Sequence, residues 1–130
     1  MKAILILSDL HNKDCANHLN KIKKAAGNKF LDFIIIQIVV QEIEAWYLAI
    51  PDAIEAAFPS LRPFPVQSGK TDLISNPKRK LSQVFFSRIN RYYRVTSDGP
   101  KIARHFFHQA SKSYPNDSFN RFIRKISELN

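Results

Sequence analysis

The sequence predicts an α/β domain: a parallel βαβ core followed by a helical C-terminal half. Two short apolar runs, Ala3 to Leu7 and Phe33 to Val40, bracket a segment with helical spacing. Strand, helix and strand over roughly 38 residues make a βαβ unit, whose strands run parallel with a right-handed crossover. Beyond Gln41 the apolar residues recur at helical spacing, with no second long β-branched run.

Each element follows from local chemistry. Ala3 to Leu7 reads as a short buried strand, and Ser8 to Asn12 as a polar turn. Asp14 suits the cap of a helix from Cys15 to Ala26, with Leu19, Ile22, Ala25 and Ala26 on its apolar face and Gly27 as its stop. Asp32 or Phe33 opens the second strand, which runs to Val40. Glu42 to Ile50 is helical and holds the single Trp, and Pro51 fits the first turn of a continuation through Phe58. Pro59, Pro63 and Pro65, with Ser68-Gly69, make an irregular connection to Asn76. Lys78 to Asn90 carries Leu81, Val84, Phe85 and Ile89 at helical spacing. Tyr92 to Val95 reads as a short extended piece. Asp98-Gly-Pro precedes a helix over Lys101 to Ser111. Asp117 or Ser118 caps a last helix to Leu129, with Phe119, Phe122, Ile123 and Ile126 inward. The 130 residues make one domain by length: residues 1–58 the βαβ core and its following helices, 59–77 a Pro-rich connection, 78–130 a basic helical half.

Composition narrows the function classes. No apolar run reaches the ~20 residues a membrane span needs, so no membrane is expected. Met1 leads straight into a strand pattern with no cleavage site, and Cys15 is the lone cysteine, so the expected compartment is the cytoplasm. The net charge is +9, and it is unevenly placed. Residues 1–77 hold eight Lys/Arg and eight Asp/Glu; residues 78–130 hold twelve Lys/Arg and three acids. A cationic half of this kind points to a polyanion partner, nucleic acid above all. Lys78, Arg79, Lys80, Arg88, Arg91 and Arg94 are the candidate contacts, lying among Tyr92, Tyr93, Phe106 and Phe119. Guanidinium groups beside aromatic rings suit phosphate contact and base stacking, although most of these rings are expected in the core. Three cations at the start of a helix also oppose its dipole, which favours acids there.

The candidate chemistry lies at the carboxyl ends of the strands, where ligand sites of open α/β sheets gather. Asp9 follows the first strand, and Glu42 and Glu44 follow the second. Parallel neighbours end at one edge about 5 Å apart, so their terminal acids converge. On a helix beginning at Gln41 the two glutamates lie about 200° apart, so one faces the edge while the other serves the helix N-terminus. Trp46 is expected in the core. His105 and His108 are one turn apart, with no third metal ligand in the sequence nearby. No phosphate-binding glycine loop and no metalloprotease or hydrolase motif is present.

Two strands make an incomplete sheet. The second strand is apolar on both faces, as a central strand is. A second copy or a partner chain is therefore expected to supply neighbours, or a segment present in relatives is absent.

Five sequence pieces resemble a known family when taken in order. They are Ala3–Asp9 followed by Cys15, Val40-Gln-Glu-Ile-Glu-Ala-Trp-Tyr-Leu-Ala, Asn76-Pro-Lys-Arg-Lys-Leu, Tyr92-Tyr-Arg with Gly99-Pro-Lys-Ile-Ala, and Ser118-Phe-Asn-Arg-Phe. The family is the uncharacterised bacterial domain of unknown function numbered forty-two seventy-six. Its layout is similar to the Toprim parts of overcoming-lysogenization-defect and RloB-like proteins. The resemblance covers nearly the whole chain, but only the C-terminal part of the usual family length. It implies a partial Toprim or Rossmann-like fold and metal-dependent phosphodiester chemistry, or a decayed form of it. Carried over, Asp9 matches the first acid of an Asp-x-Asp pair, and His11 stands where the second would be. Glu42 and Glu44 match the acids of the Glu-x-Glu-Ala-Trp element, while the family's earlier strand and glutamate have no counterpart. The implied catalytic set is Asp9, Glu42 and Glu44. The same residues with His11 form the implied metal set for magnesium or manganese, hard cations that take oxygen ligands. The resulting expectation is a Toprim-like, defence- or mobile-element-associated protein that binds or acts on nucleic acid, with nuclease activity weak or lost. The alternative is a non-enzymatic interaction module that completes its sheet with a partner.

Overall fold

Two strands and six helices form among the described residues of the computed structural model, which are 4–10, 13–27, 34–106 and 113–128. Strand β1 (Ile4–Asp9) pairs in parallel with β2 (Ile34–Val39), from Ile4 opposite Ile34 to Asp9 opposite Val39. Helix α1 (Cys15–Ala26) is the crossover. The Asp14 carboxylate accepts from the Asn17 N–H at 3.0 Å, and Gly27 ends the helix at φ 75°, a conformation glycine adopts without steric cost. The mixed α/β class and the parallel pair are as expected. The proposed opening of the second strand at Asp32 or Phe33 lies outside the described residues.

The βαβ layer is thinly covered. No residue of α1 is buried, and Leu7 of β1 is 43% exposed. Helix α6 (Asp117–Ser127) packs on β2. Gln37, a buried polar residue in an otherwise apolar strand, is satisfied there. Its Nε2 donates to Ile38 O at 3.0 Å and its Oε1 accepts from Lys125 Nζ at 2.9 Å. Lys125 also donates to the Ile36 carbonyl at 3.0 Å. Burial, with Arg121 adding to it, holds the Lys125 ammonium below its usual range.

The core lies among the helices. α2 (Ile43–Leu48) and α3 (Pro51–Ala57) follow β2, and α4 (Pro77–Ile89) and α5 (Asp98–Ala103) complete the set. Trp46, Leu48, Ile54, Leu61, Leu81, Phe85, Ile102 and Phe119 are fully buried at its centre, with Val39 of β2 joining them. Trp46 is a core residue as expected, its ring 5.0 Å from Phe119 and 5.1 Å from Phe122. A closed polar network runs beside it. Trp46 Nε1 donates to Ser118 Oγ at 2.8 Å, and Ser118 Oγ to Asn116 Oδ1 at 2.9 Å. Asn116 Nδ2 donates to Thr71 Oγ1 at 2.9 Å. The Asp72 carboxylate accepts from the Asp117 N–H at 3.0 Å, supplying the negative charge that a helix N-terminus favours.

Several boundaries differ from the sequence expectation. α6 is capped by Asn116, whose Oδ1 accepts from the Phe119 N–H at 2.9 Å, rather than by Asp117 or Ser118. Tyr92 to Val95 is coil and turn, not an extended piece. Side chains take its backbone donors: Ser82 Oγ accepts from the Tyr93 N–H at 3.1 Å, and Asp98 from the Arg94 N–H at 2.7 Å. α5 starts at Asp98, three residues before Lys101, and gives way to a turn at Arg104. Pro100 is tolerated because it lies in the first turn, where the backbone N–H has no helical acceptor. The residues expected to extend that helix past Phe106, with His108 among them, lie outside the described set.

Candidate functional site

The three acids singled out from the sequence reach one edge of the fold. Asp9 closes β1 opposite Val39. Just after β2, Gln41 takes a left-handed φ of 67°, a conformation that costs a non-glycine residue about 1–2 kcal/mol. This turn sends the two glutamates in different directions. Glu42 remains partly open, its side chain 16% exposed, while Glu44 in the first turn of α2 is 1% exposed. His11 lies outside the described residues.

Glu42 caps α2 by position, yet its carboxylate serves another helix. Glu42 Oε1 accepts from the Lys78 backbone N–H at 3.4 Å, and Lys78 Nζ stands 3.3 Å from Glu42 Oε2. The N-terminus of α4 therefore receives its negative charge from a residue distant in sequence. This explains how Lys78, Arg79 and Lys80 are tolerated there. Asn76 completes the cap, its Oδ1 accepting from the Arg79 N–H at 3.3 Å, and Pro77 opens the helix.

Glu44 sits in a different environment. Burial pushes its carboxyl above the ordinary value of 4.5; its own backbone N–H and Lys78 oppose the shift, and Glu42 and Asp9 add to it. Burial also pushes the Tyr47 hydroxyl up to about 12, with Glu44 and Asp9 contributing. The Tyr93 hydroxyl is raised by burial first and by Glu44 second; it lies against the Glu44 carboxyl, although neither Tyr93 Oη nor Glu44 Oε1 meets strict hydrogen-bond geometry. Gly99 closes this pocket: a Cβ there would lie 2.9 Å from Tyr93 Oη and 3.3 Å from Tyr47 Oη.

For a divalent cation the donor set is mixed. Glu44 Oε1 is a buried oxygen without a partner, and the three carboxyl groups influence one another. Among the described residues, however, no three His, Cys, Asp or Glu side chains are grouped closely enough to hold a metal. Lys78 already provides a positive charge at Glu42. Asp9 with Glu42 or Glu44 would hold a divalent ion here only with Lys78 displaced from Glu42.

The six candidate basic residues divide into two groups. Arg88 donates to the Leu61 carbonyl at 3.1 Å and to the Pro63 carbonyl. Arg91 forms a bidentate pair with Asp98 at 2.8 and 3.0 Å and stands over the Phe58 and Phe85 rings at 5.8 and 5.5 Å. Burial works to raise the Asp98 carboxyl, but the bonds from Arg91 and from the Arg94 N–H hold it below the usual range. Both guanidinium groups thus brace the fold. Arg88 is exposed all the same, as are Arg79, Lys80 and Arg94, and Lys78 is half-exposed beside Glu42.

A cleft of about 500 Å³ opens next to Lys78 and Arg79, with Asn76, Gln83, Tyr92 and Tyr93 among its walls. Tyr93 is buried, whereas Tyr92 is 64% exposed and stacks on Phe86, centroids 4.9 Å apart at 17°. Sequence reasoning missed Phe86. The available signal was its place beside Phe85 but off the Leu81, Val84, Phe85, Ile89 face of α4.

No curated protein and no solved structure matches this chain. A family model described as "Domain of unknown function (DUF4276)" matches residues 2–127, nearly the whole sequence. The chain therefore belongs to the DUF4276 family.

Proposed function

We propose that this chain is a Toprim-like, defence- or mobile-element-associated protein that binds nucleic acid, with nuclease activity weak or lost. The observation that carries the binding is Lys78 and Arg79 lining a cleft walled by an exposed aromatic ring, with Lys80 and Arg94 as further exposed cations. Such a surface neutralises phosphates and releases their counterions, which makes binding salt-sensitive and largely independent of sequence. The weak catalytic side of the reading is supported by Lys78 at Glu42 and by a Glu44 carboxyl that burial raises above its ordinary range.

Fluorescence anisotropy with labelled single- and double-stranded DNA and RNA at low salt tests the binding. The native chain binds, and charge reversal at Lys78, Arg79 and Lys80 weakens it. No binding of any of these polymers at low salt refutes the reading. Magnesium or manganese would be held by Asp9 with Glu42 or Glu44, and the reading assigns that ion no reaction step. Calorimetric titration of the native chain and Asp9→Ala checks the ligand set; equal binding by both proteins removes Asp9 from it.

A second reading is a module that completes its sheet with another chain. It is favoured by α1, none of whose residues is buried, and by the exposed Leu7 on β1. Sedimentation showing a concentration-independent monomer counts against self-association.

A further inference from the structure

We propose that the cleft beside α4 takes one unpaired nucleotide of a single-stranded polynucleotide, its base lying on Tyr92 and its phosphate against Arg79 and Lys78. The inference rests on the nucleic-acid reading and specifies which form of polymer is bound and by what contact. Its first support is Tyr92 itself. A tyrosine that is 64% exposed while stacked on Phe86 has one face fixed and the other facing solvent. Phe86, itself 47% exposed on α4, keeps the Tyr92 ring in a set orientation. An oriented ring is a stacking platform, and every base has a face to place on it.

The second support is charge placement. Lys78 and Arg79 line the same cleft as Tyr92, so an anion and an aromatic ring can be met by one ligand. The α4 N-terminus adds little to this attraction, because Glu42 and Asn76 already take its leading N–H groups. The cationic side chains carry the anion contact. Gln83, exposed on the cleft wall, offers an amide to a base edge. The volume of about 500 Å³ falls within the roughly 300–1,000 Å³ of small-ligand sites. A base held in a duplex keeps its faces against its neighbours, so stacking on Tyr92 requires an unpaired nucleotide.

The test is anisotropy with three labelled polymers of equal length: an oligothymidine, an abasic strand with the same phosphates, and a blunt duplex. Tyr92→Ala lowers oligothymidine affinity roughly five- to hundredfold, the range for one lost base stack, and leaves the abasic strand and the duplex unchanged. Tyr92→Phe keeps the affinity. Circular dichroism confirms that both variants fold, as expected for an exposed position. If native chain and Tyr92→Ala bind oligothymidine equally, the inference falls while the nucleic-acid reading stands. If the native chain binds none of these polymers the inference falls, and if RNA is not bound either the nucleic-acid reading falls with it. If free thymidine monophosphate binds as tightly as the strand, the occupant is a free nucleotide and the strand assignment is overturned.

Discussion

Arg79 and Arg88 are indistinguishable as basic residues in the sequence, and the fold gives them different electrostatic roles. Both are exposed, but Arg79 lines the cleft while the Arg88 guanidinium donates to the carbonyls of Leu61 and Pro63. The discriminating perturbation is Arg79→Gln against Arg88→Gln, read in the salt dependence of single-strand binding. Each phosphate neutralised contributes about −0.7 to the slope of log K against log salt. Three exposed cations, Arg79, Lys80 and Arg94, give a slope of about −2.1, and Lys78 adds about −0.7 if it leaves Glu42. Between about 0.05 and 0.2 M salt the native chain then loses roughly 20- to 50-fold in affinity. Arg79→Gln flattens the slope by about 0.7, and Arg88→Gln leaves it unaltered within error. Anisotropy titrations at four salt concentrations measure both. Equal flattening by the two substitutions refutes the division of cations, and an unchanged slope in Arg79→Gln removes Arg79 from the interface.

Three further outcomes are expected. Glu44 has a folded value above its ordinary 4.5, so its contribution to stability is complete below pH 4.5 and is lost as pH rises through the folded value. Glu44→Gln does not titrate and therefore gains on the native chain as pH rises; urea midpoints across this range measure the gain, and a pH-independent difference contradicts it. Asn116→Ala removes a helix cap and opens a buried network, costing about 2–4 kcal/mol, against about 0.5–2 kcal/mol for the exposed cap in Asn76→Ala. Denaturation followed by Trp46 fluorescence compares them, and an equal or smaller cost at Asn116 defeats the argument. Gly99→Ala drives a methyl group against Tyr93 and Tyr47 and costs about 1–3 kcal/mol by overpacking; an unchanged melting temperature shows that the tyrosines can yield.

Elements governed by near neighbours were legible in the chain. The βαβ unit, the Asp14 cap, the Gly27 stop and the apolar faces of α4 and α6 depend on periodicity and on residues within a turn or two, and they lie close to where the pattern puts them. The cap of α6 was displaced by one residue because Asn116, Asp117 and Ser118 all have capping side chains, and packing against Thr71 and Trp46 selected Asn116. The Tyr92 to Val95 segment failed as a strand because its backbone donors found Ser82 and Asp98.

By itself the sequence determined the fold class, the placing of Asp9, Glu42 and Glu44 after strands, and the concentration of charge beyond residue 77, since these are properties of order and composition. Tertiary structure alone decided what those groups do. It turned Glu42 outward to Lys78 and buried Glu44 beside Tyr93. It tied Arg88 to carbonyls of the Pro-rich connection and set Arg79 on the cleft wall, and it placed Tyr92 on Phe86 in the open while Tyr93 went into the core. The physical reason is that charge state and availability depend on burial and on the nearest opposite group, and the packing of helices distant in sequence sets both.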